Sequence, residues 1–436
     1  MERLTIRIET AEWAMEKEPM ATPFGFKGGY LSELWQTAVR LRSREGHAAV
    51  GLGVQSVLWS DPRVFFGTTE NGGNEMMIAL TKRAVQLAEG ETFREPIELL
   101  ERLVGQVHAY GREVTSRPDL RETFALNALV PLDHAAWLLY AAGTGARTFD
   151  EIVPGRFRDV LSERHRVLAC TPVVSYSHTE ADVRRMLDEG YFVLKLKLGS
   201  DPDKDGDLDK MLEWDKRQLE LVHRLAADRT TPYTDSGRVV YYLDANGRYD
   251  TTERVLRLLD HADRIGALER TILLEEPFPE ENKLPVDGLP VRVAADESVH
   301  HERDARERMD LGYRAITLKP IAKTMSVALN VANAAKERGV PCFCADLTVN
   351  PWMVDWNKNV AARLAPVPGL RVGLIESNGP QNYANWRTMI GYHPNAGASW
   401  VQADNGVFHL DDSFYAECGG SLGRSPHYES LVFARA

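Results

Sequence analysis

Cysteine is scarce in this chain: four residues in 436, at positions 170, 342, 344 and 418. They fit no zinc-ligand spacing, and Cys342 and Cys344 alternate within an apolar run as small buried residues do, so no chemistry is assigned to them. Basic residues are in deficit, with 52 lysines and arginines against 63 aspartates and glutamates and a formal net charge of −11. That balance argues against nucleic acid, for which a basic surface is the electrostatic footprint. No apolar run approaches membrane-spanning length, and the opening MERLTIRIETAEW holds charges where a signal peptide has its apolar core. A cytoplasmic protein without membrane contact is expected. Hydrophobic residues at 44% and charged residues at 26% are ordinary for a globular protein, and 436 residues exceed one compact core, so two domains are expected.

What the chain does contain is organised around residues 191–199, YFVLKLKLG. In a strand, a spacing of two puts Lys195 and Lys197 on one face, and the flanking apolar residues are those of a strand buried on both sides. Two like charges there call for anions nearby. Four apolar runs follow, each with an ionisable residue at or near its end: Asp244, Glu275, Asp296 and Lys319. The steps from 244 to 275, 296 and 319 are 31, 21 and 23 residues, each with room for a strand, a helix and two loops. Parallel strands alternating with helices and closing into a barrel bring all these groups to the C-terminal rim, where barrel active sites sit.

Taken singly, each acid reads as a helix cap or turn residue. As a set, three carboxylates on successive strand ends supply the hard oxygen ligands that Mg²⁺ prefers, and lysines on either side of them have no ordinary structural use. One divalent cation is therefore expected on Asp244, Glu275 and Asp296.

The series Lys195-Leu196-Lys197, Asp244-Ala245-Asn246, Leu274-Glu275-Glu276-Pro277, Ala295-Asp296-Glu297-Ser298 and Leu318-Lys319-Pro320 resembles the enolase superfamily. More narrowly it is similar to the muconate-lactonizing subgroup, with a KxK strand and a lysine on the sixth strand; the mandelate racemase subgroup carries a histidine instead. The resemblance covers roughly residues 170–378. It implies a modified TIM barrel of the (β/α)7β kind under an α+β N-terminal capping domain completed by the C-terminal tail, with boundaries at 1–160, 161–380 and 381–436. It implies that Lys197 and Lys319 face the substrate from opposite sides as acid and base. Lys195 acts by its field, and Asn246 and Glu297 stand behind the metal ligands. Crowding Lys195 against Lys197 is expected to lower at least one lysine pKa toward the working range. The substrate is a small carboxylate and the reaction a racemisation, epimerisation or dehydration. A lactonizing cycloisomerase and a catalytically silent metabolite-binding regulator are the alternatives, and a homo-oligomer is implied by the same resemblance. Dipeptide epimerases of this subgroup typically carry Asp-x-Asp near the eighth strand, whereas here Glu376 precedes Ser377, Asn378 and Gly379, which argues against dipeptides.

Elsewhere, the stretch MATPFGFKGGY reads as a glycine- and aromatic-rich loop after a strand at 4–9, and functionally as a lid. The resemblance implies two such covering loops, about 17–30 and 50–69, with Phe24, Phe26 and Lys27 as substrate-facing candidates. Gly51-Leu52-Gly53 lacks both the third glycine and the surrounding βαβ unit of a dinucleotide fingerprint. Residues 74–111 and 124–142 carry helical spacing. The aspartates of GSDPDKDGDLDK miss the glutamate register of a calcium loop and are expected to cap a helix. A first barrel strand is expected at 171–177, and Glu376 closes the eighth as a substrate-contact candidate.

Overall fold

The computed structural model describes residues 5–433. Its first strand, β1 (Ile6–Phe26), runs straight through the stretch expected as a loop; Leu4, the start of the expected strand, lies outside the described residues. The chain turns at Lys27 and Gly28, with φ of 54° and 77°, into β2 (Gly29–Ser43). Positive φ at both central residues is what a two-residue hairpin turn requires, and this is why the segment is glycine-rich without being a loop. β3 (Ala48–Gln55) and β4 (Thr92–Phe93) complete an antiparallel sheet of order β3-β2-β1-β4.

Against it lie α1 (Val57–Ser60), α2 (Pro62–Gly67), α3 (Glu70–Ala88), α4 (Pro96–Thr115) and α5 (Glu122–Thr144). A β-carbon on Gly51 would sit 2.1 Å from Ala135 N, and one on Gly53 2.7 Å from Pro131 Cδ. The glycines that mimic a nucleotide motif thus exist to let α5 press onto β3.

After α6 (Phe149–Ile152) the chain builds its second sheet from β5 (Val167–Thr171), β6 (Val173–Val174), β7 (Val193–Lys197), β8 (Val240–Asp244), β9 (Thr271–Glu275), β10 (Val293–Ala295), β11 (Ala315–Leu318), β12 (Cys342–Cys344) and β13 (Gly373–Glu376), paired in parallel. β5 pairs with β13 and β6 with β7, and only Pro172 separates β5 from β6. Proline has no N–H for a ladder, but its carbonyl accepts from Lys195 N at 3.1 Å, and the ring closes through it. This is the expected α/β barrel, with the first strand starting four residues earlier than read from sequence.

The crossovers carry α7 (Glu180–Asp188), α8 (Leu208–Ala226), α9 (Thr252–Arg264), α10 (Glu302–Asp310), α11 (Met325–Glu337) and α12 (Pro351–Ala361). One expected helix is missing: between β9 and β10, residues 276–292 form none. Pro277, Pro279, Pro285 and Pro290 deny that stretch the amide donors a helix needs. The aspartate-rich loop caps α8, Asp207 accepting from Asp209 N and Lys210 N. In the tail, β14 (Val407–His409) adds antiparallel to β5. Met20 bridges Tyr383, and His427 Nε2 meets Glu16 at 2.9 Å, so the tail reaches back to β1. Among the described residues no helix is long and apolar enough to cross a membrane.

Candidate active site

Register places three polar residues side by side at one end of the barrel: Lys197 opposite Asp244, and Asp244 opposite Glu275. Asp296 follows β10 directly and Lys319 follows β11. All five are buried. Glu276, forced to φ 40°, turns its carboxylate onto the next loop, where Oε2 accepts from Asp296 N at 2.6 Å and Ser298 Oγ at 3.0 Å. Backbone strain there positions a proposed ligand.

Lys195 Nζ lies 2.9 Å from Asp244 Oδ2, 2.7 Å from Glu275 Oε2 and 2.9 Å from Glu376 Oε2. Lys197 Nζ reaches the same Asp244 oxygen at 2.5 Å and Asn246 Oδ1 at 3.0 Å. Lys319 Nζ lies 2.6 Å from Asp296 Oδ2. The expectation is that crowding lowers at least one of the two lysine pKa values, and at Lys195 these contacts oppose it. Burial pushes it down, but Asp244, Glu275 and Glu376 surround the ammonium and carry it well above a lysine's ordinary value. Lys319 is likewise raised, burial being outweighed by Asp296. Burial opposes ionisation of Asp244 too, yet Lys195 and Lys197 hold it down at about 2.

Glu376, expected as a substrate contact, is tied to Lys195 and accepts from Asn378 Nδ2 at 3.1 Å. Asn246 Nδ2 donates to Glu297 Oε1 at 2.9 Å. Lys27, at the hairpin tip, donates to the same Glu297 oxygen at 3.1 Å and to Trp59 O at 2.9 Å. The hairpin thus touches the rim behind the carboxylates. Phe26 lies under Lys197, 5.4 Å from Nζ to ring centre, and Phe24 packs on Phe26 at 5.2 Å. Phe24, Phe26, Lys197, Lys319 and Glu376 line one cavity of about 30 Å³.

Sequence reasoning misses three neighbours. Trp59, whose ring centre is 4.5 Å from Lys319 Nζ, lies in the expected covering segment 50–69. Lys323 donates to Asp296 O at 2.7 Å and Oδ1 at 3.1 Å, and its offset of four from Lys319 is the available signal. Tyr242 donates to Glu275 Oε2, and its place two residues before Asp244 on one strand predicts a shared face.

Among the described residues no three His, Cys, Asp or Glu side chains are gathered as a metal centre, since ammonium groups stand against the three carboxylates. The donor set nevertheless fits a hard divalent cation. Glu275 Oε1 is buried without a hydrogen-bond partner, and burial with the charges of Asp244 and Asp296 holds that carboxyl well above its ordinary pKa. Excess negative charge on three oxygen-bearing groups is what such a cation relieves.

Residues 178–373 match the family described as enolase C-terminal domain-like. The fold is similar to a mandelate racemase/muconate lactonizing protein from Herpetosiphon aurantiacus, at 16% identity and a TM-score of 0.65 over 93% of this chain and 96% of that one. It is also similar to a dipeptide epimerase from Cytophaga hutchinsonii complexed with Mg and D-Ala-L-Val, at 15% identity and 0.62 over 87% and 88%. A third likeness is to an L-talarate/galactarate dehydratase mutant liganded with Mg and L-glucarate, at 16% identity and 0.59 over 93% and 88%. No curated protein matches.

Proposed function

From the premise that the barrel of this chain belongs to the enolase superfamily, we propose that the protein is an enzyme that removes the proton α to a carboxylate on a small-molecule acid, with Mg²⁺ as cofactor. The observation that carries this reading is the shared cavity. Lys197 and Lys319 both line it, and each pairs at its back with a carboxylate of the proposed metal set, Asp244 or Asp296.

Asp244, Glu275 and Asp296 would hold the cation, which supplies several kcal/mol of stabilisation for charge developing on the substrate carboxylate. Lys197 and Lys319 take and return the α-proton at Nζ. Lys195, pinned among three carboxylates, keeps its charge and works through its field. The hairpin tip, with Phe24, Phe26 and Lys27, excludes water over the bases. Two bases support racemisation or epimerisation, and elimination of water follows where the acid carries a β-hydroxyl. Both outcomes occur among the similar structures, an epimerase and a dehydratase.

The test is α-proton exchange in D₂O with Mg²⁺ and a panel of carboxylic acids. Deuterium entering the α-position of at least one acid is expected. Entry into none, with some acids bound, would make the chain a metabolite-binding protein.

A further inference from the structure

The short helix α1 is fixed to α5 by hydrogen bonds around its backbone. Ser56 N donates to Asn127 Oδ1 at 3.0 Å, and Ser60 Oγ reaches the same oxygen at 3.2 Å. Asn127 Nδ2 donates to Val54 O at 2.8 Å, and Thr123 Oγ1 to Ser60 O at 2.6 Å. On this anchored turn sits Trp59, 2% exposed and part of the lining of the cavity that holds Lys197 and Lys319.

Trp59 is committed at two places and free at a third. Its carbonyl accepts from Lys27 Nζ at 2.9 Å, and its ring centre stands 4.5 Å from Lys319 Nζ, an ammonium against an aromatic ring. Its Nε1 is buried and has no hydrogen-bond partner among the described residues, the one buried side-chain polar atom of the cavity lining in that state. An indole nitrogen donates and never accepts, so neither Lys319 nor Lys197, donors themselves, can satisfy it. The carboxylates of the lining are engaged elsewhere. Asp346 accepts from Leu347 N, Val349 N and Asn378 N, and Glu376 from Lys195 Nζ and Asn378 Nδ2. A buried donor without an acceptor is destabilising, and at a site it is what an incoming acceptor relieves.

We propose that Trp59 is a substrate-binding residue whose indole N–H donates to an oxygen of the bound acid. This rests on the α-proton reading above and adds an orienting contact to it: an acid held at Nε1, beside a ring that keeps Lys319 in place, presents a fixed face of its α-carbon to that lysine. The acceptor is an oxygen of the carboxylate or one carried on the α-carbon, the same hydrogen-bond chemistry in either case. The cavity of about 30 Å³ holds roughly one water, so the hairpin tip lifts to admit an acid while α1 stays with α5.

The experiment uses the Mg²⁺-loaded protein labelled with ¹⁵N at its indole nitrogens, and acetate and glycolate as probes. Both are too small to be rejected for a distal group, and they differ by one oxygen on the α-carbon. The Nε1 resonance of Trp59 is assigned by its loss in Trp59→Phe, which keeps a ring against Lys319 and should keep the Mg²⁺-induced rise in melting temperature; Trp59→Tyr supplies the same assignment. Binding should move that proton downfield, the direction of a new hydrogen bond, and Trp59→Phe should weaken binding by about fivefold or more. A shift with glycolate alone places the acceptor on the α-oxygen, and a shift with acetate places it on the carboxylate. Binding with no shift from either acid overturns the proposal, as does unchanged affinity in Trp59→Phe. Failure of both to bind at tens of millimolar overturns it too, since a metal-loaded cavity with an open donor takes the smallest acids. Exchange of the α-proton in D₂O is followed separately. A shift without exchange leaves the Trp59 contact standing and removes the proton-transfer reading, and exchange without a shift does the reverse.

Discussion

Lys27 and Glu297, 270 residues apart in sequence, form an ion pair of 3.1 Å in which each side chain is about 5% exposed. It joins the tip of the β1–β2 hairpin to the rim of the barrel, and Glu297 in turn holds Asn246 beside Lys197. Replacing Lys27 by Met removes the cation and leaves a buried carboxylate with the amide of Asn246. Breaking one side of a buried pair costs about 3 kcal/mol, which the hairpin relieves by opening. Amide hydrogen exchange in peptides spanning 22–33 should accelerate at least tenfold in Lys27→Met, with KM rising more than kcat falls. Unchanged protection of the hairpin would mean that the pair does not hold it down.

The metal set is checked through stability. A cation bound only by the folded state adds RT ln(1 + [Mg²⁺]/Kd), roughly 2.7 kcal/mol at a hundredfold excess over Kd, so the melting temperature should climb with Mg²⁺. Asp296→Asn and Glu275→Gln should abolish that climb. The reading is the increment with Mg²⁺, because Asp296→Asn also strips Lys319 and Lys323 of their counter-charge and lowers the baseline. A full increment in either variant would remove that residue from the metal set.

The strand-end chemistry is legible in sequence because local periodicity determines it. A period of two aligns Lys195 with Lys197, and the acids fall one per strand. What depends on distant partners is not legible. The hairpin reads as a loop because residues 17–26 are held as strand by pairing with β2, a partner the local sequence does not show. The raised pKa of Lys195 depends on Asp244, Glu275 and Glu376 converging on it, the last from 181 residues away. The missing helix between β9 and β10 could have been read from four prolines in seventeen residues, but a step of 21 looks long enough for a full unit. Lys323 carries one signal, its offset of four from Lys319, and that spacing alone does not set it apart from a solvated lysine.

A histidine outside the reaction should set the pH dependence of stability. His300 Nδ1 lies 3.2 Å from Asp304 Oδ2, and Nε2 stands 3.7 Å from Glu280 Oε2, an ionic contact beyond hydrogen-bond reach. Arg121 pairs with Glu280 and His301 with Asp304 from outside. Burial lowers the His300 pKa, but the two carboxylates carry it up to about 9. A folded pKa above the ordinary 6.5 gives stability that is complete below pH 6.5 and is lost as pH rises through 9. With the ring 15% exposed, the expected size is roughly 2 kcal/mol. Urea unfolding from pH 6 to 10 should show this decline in the native chain and a flatter curve in His300→Gln. Parallel curves would place the titration elsewhere.

The two lysines of the cavity should be separable by stereochemistry. If Lys197 and Lys319 flank the α-carbon, a 1,1-proton transfer needs both, so either single Ala variant should lose turnover by at least 10³-fold, the scale of general acid–base catalysis with some loss of positioning. Exchange with solvent needs only the base facing the proton. Lys197→Ala and Lys319→Ala should therefore wash deuterium into opposite enantiomers, each retaining the half-reaction of the surviving lysine. Lys195→Ala should slow both enantiomers alike, because Lys195 meets Asp244, Glu275 and Glu376 and does not line the cavity. Chiral separation of the acid after incubation in D₂O reads all three variants. If one lysine proves necessary for exchange of both enantiomers, the chemistry is one-base, and dehydration or cycloisomerisation replaces racemisation as the reaction of this barrel.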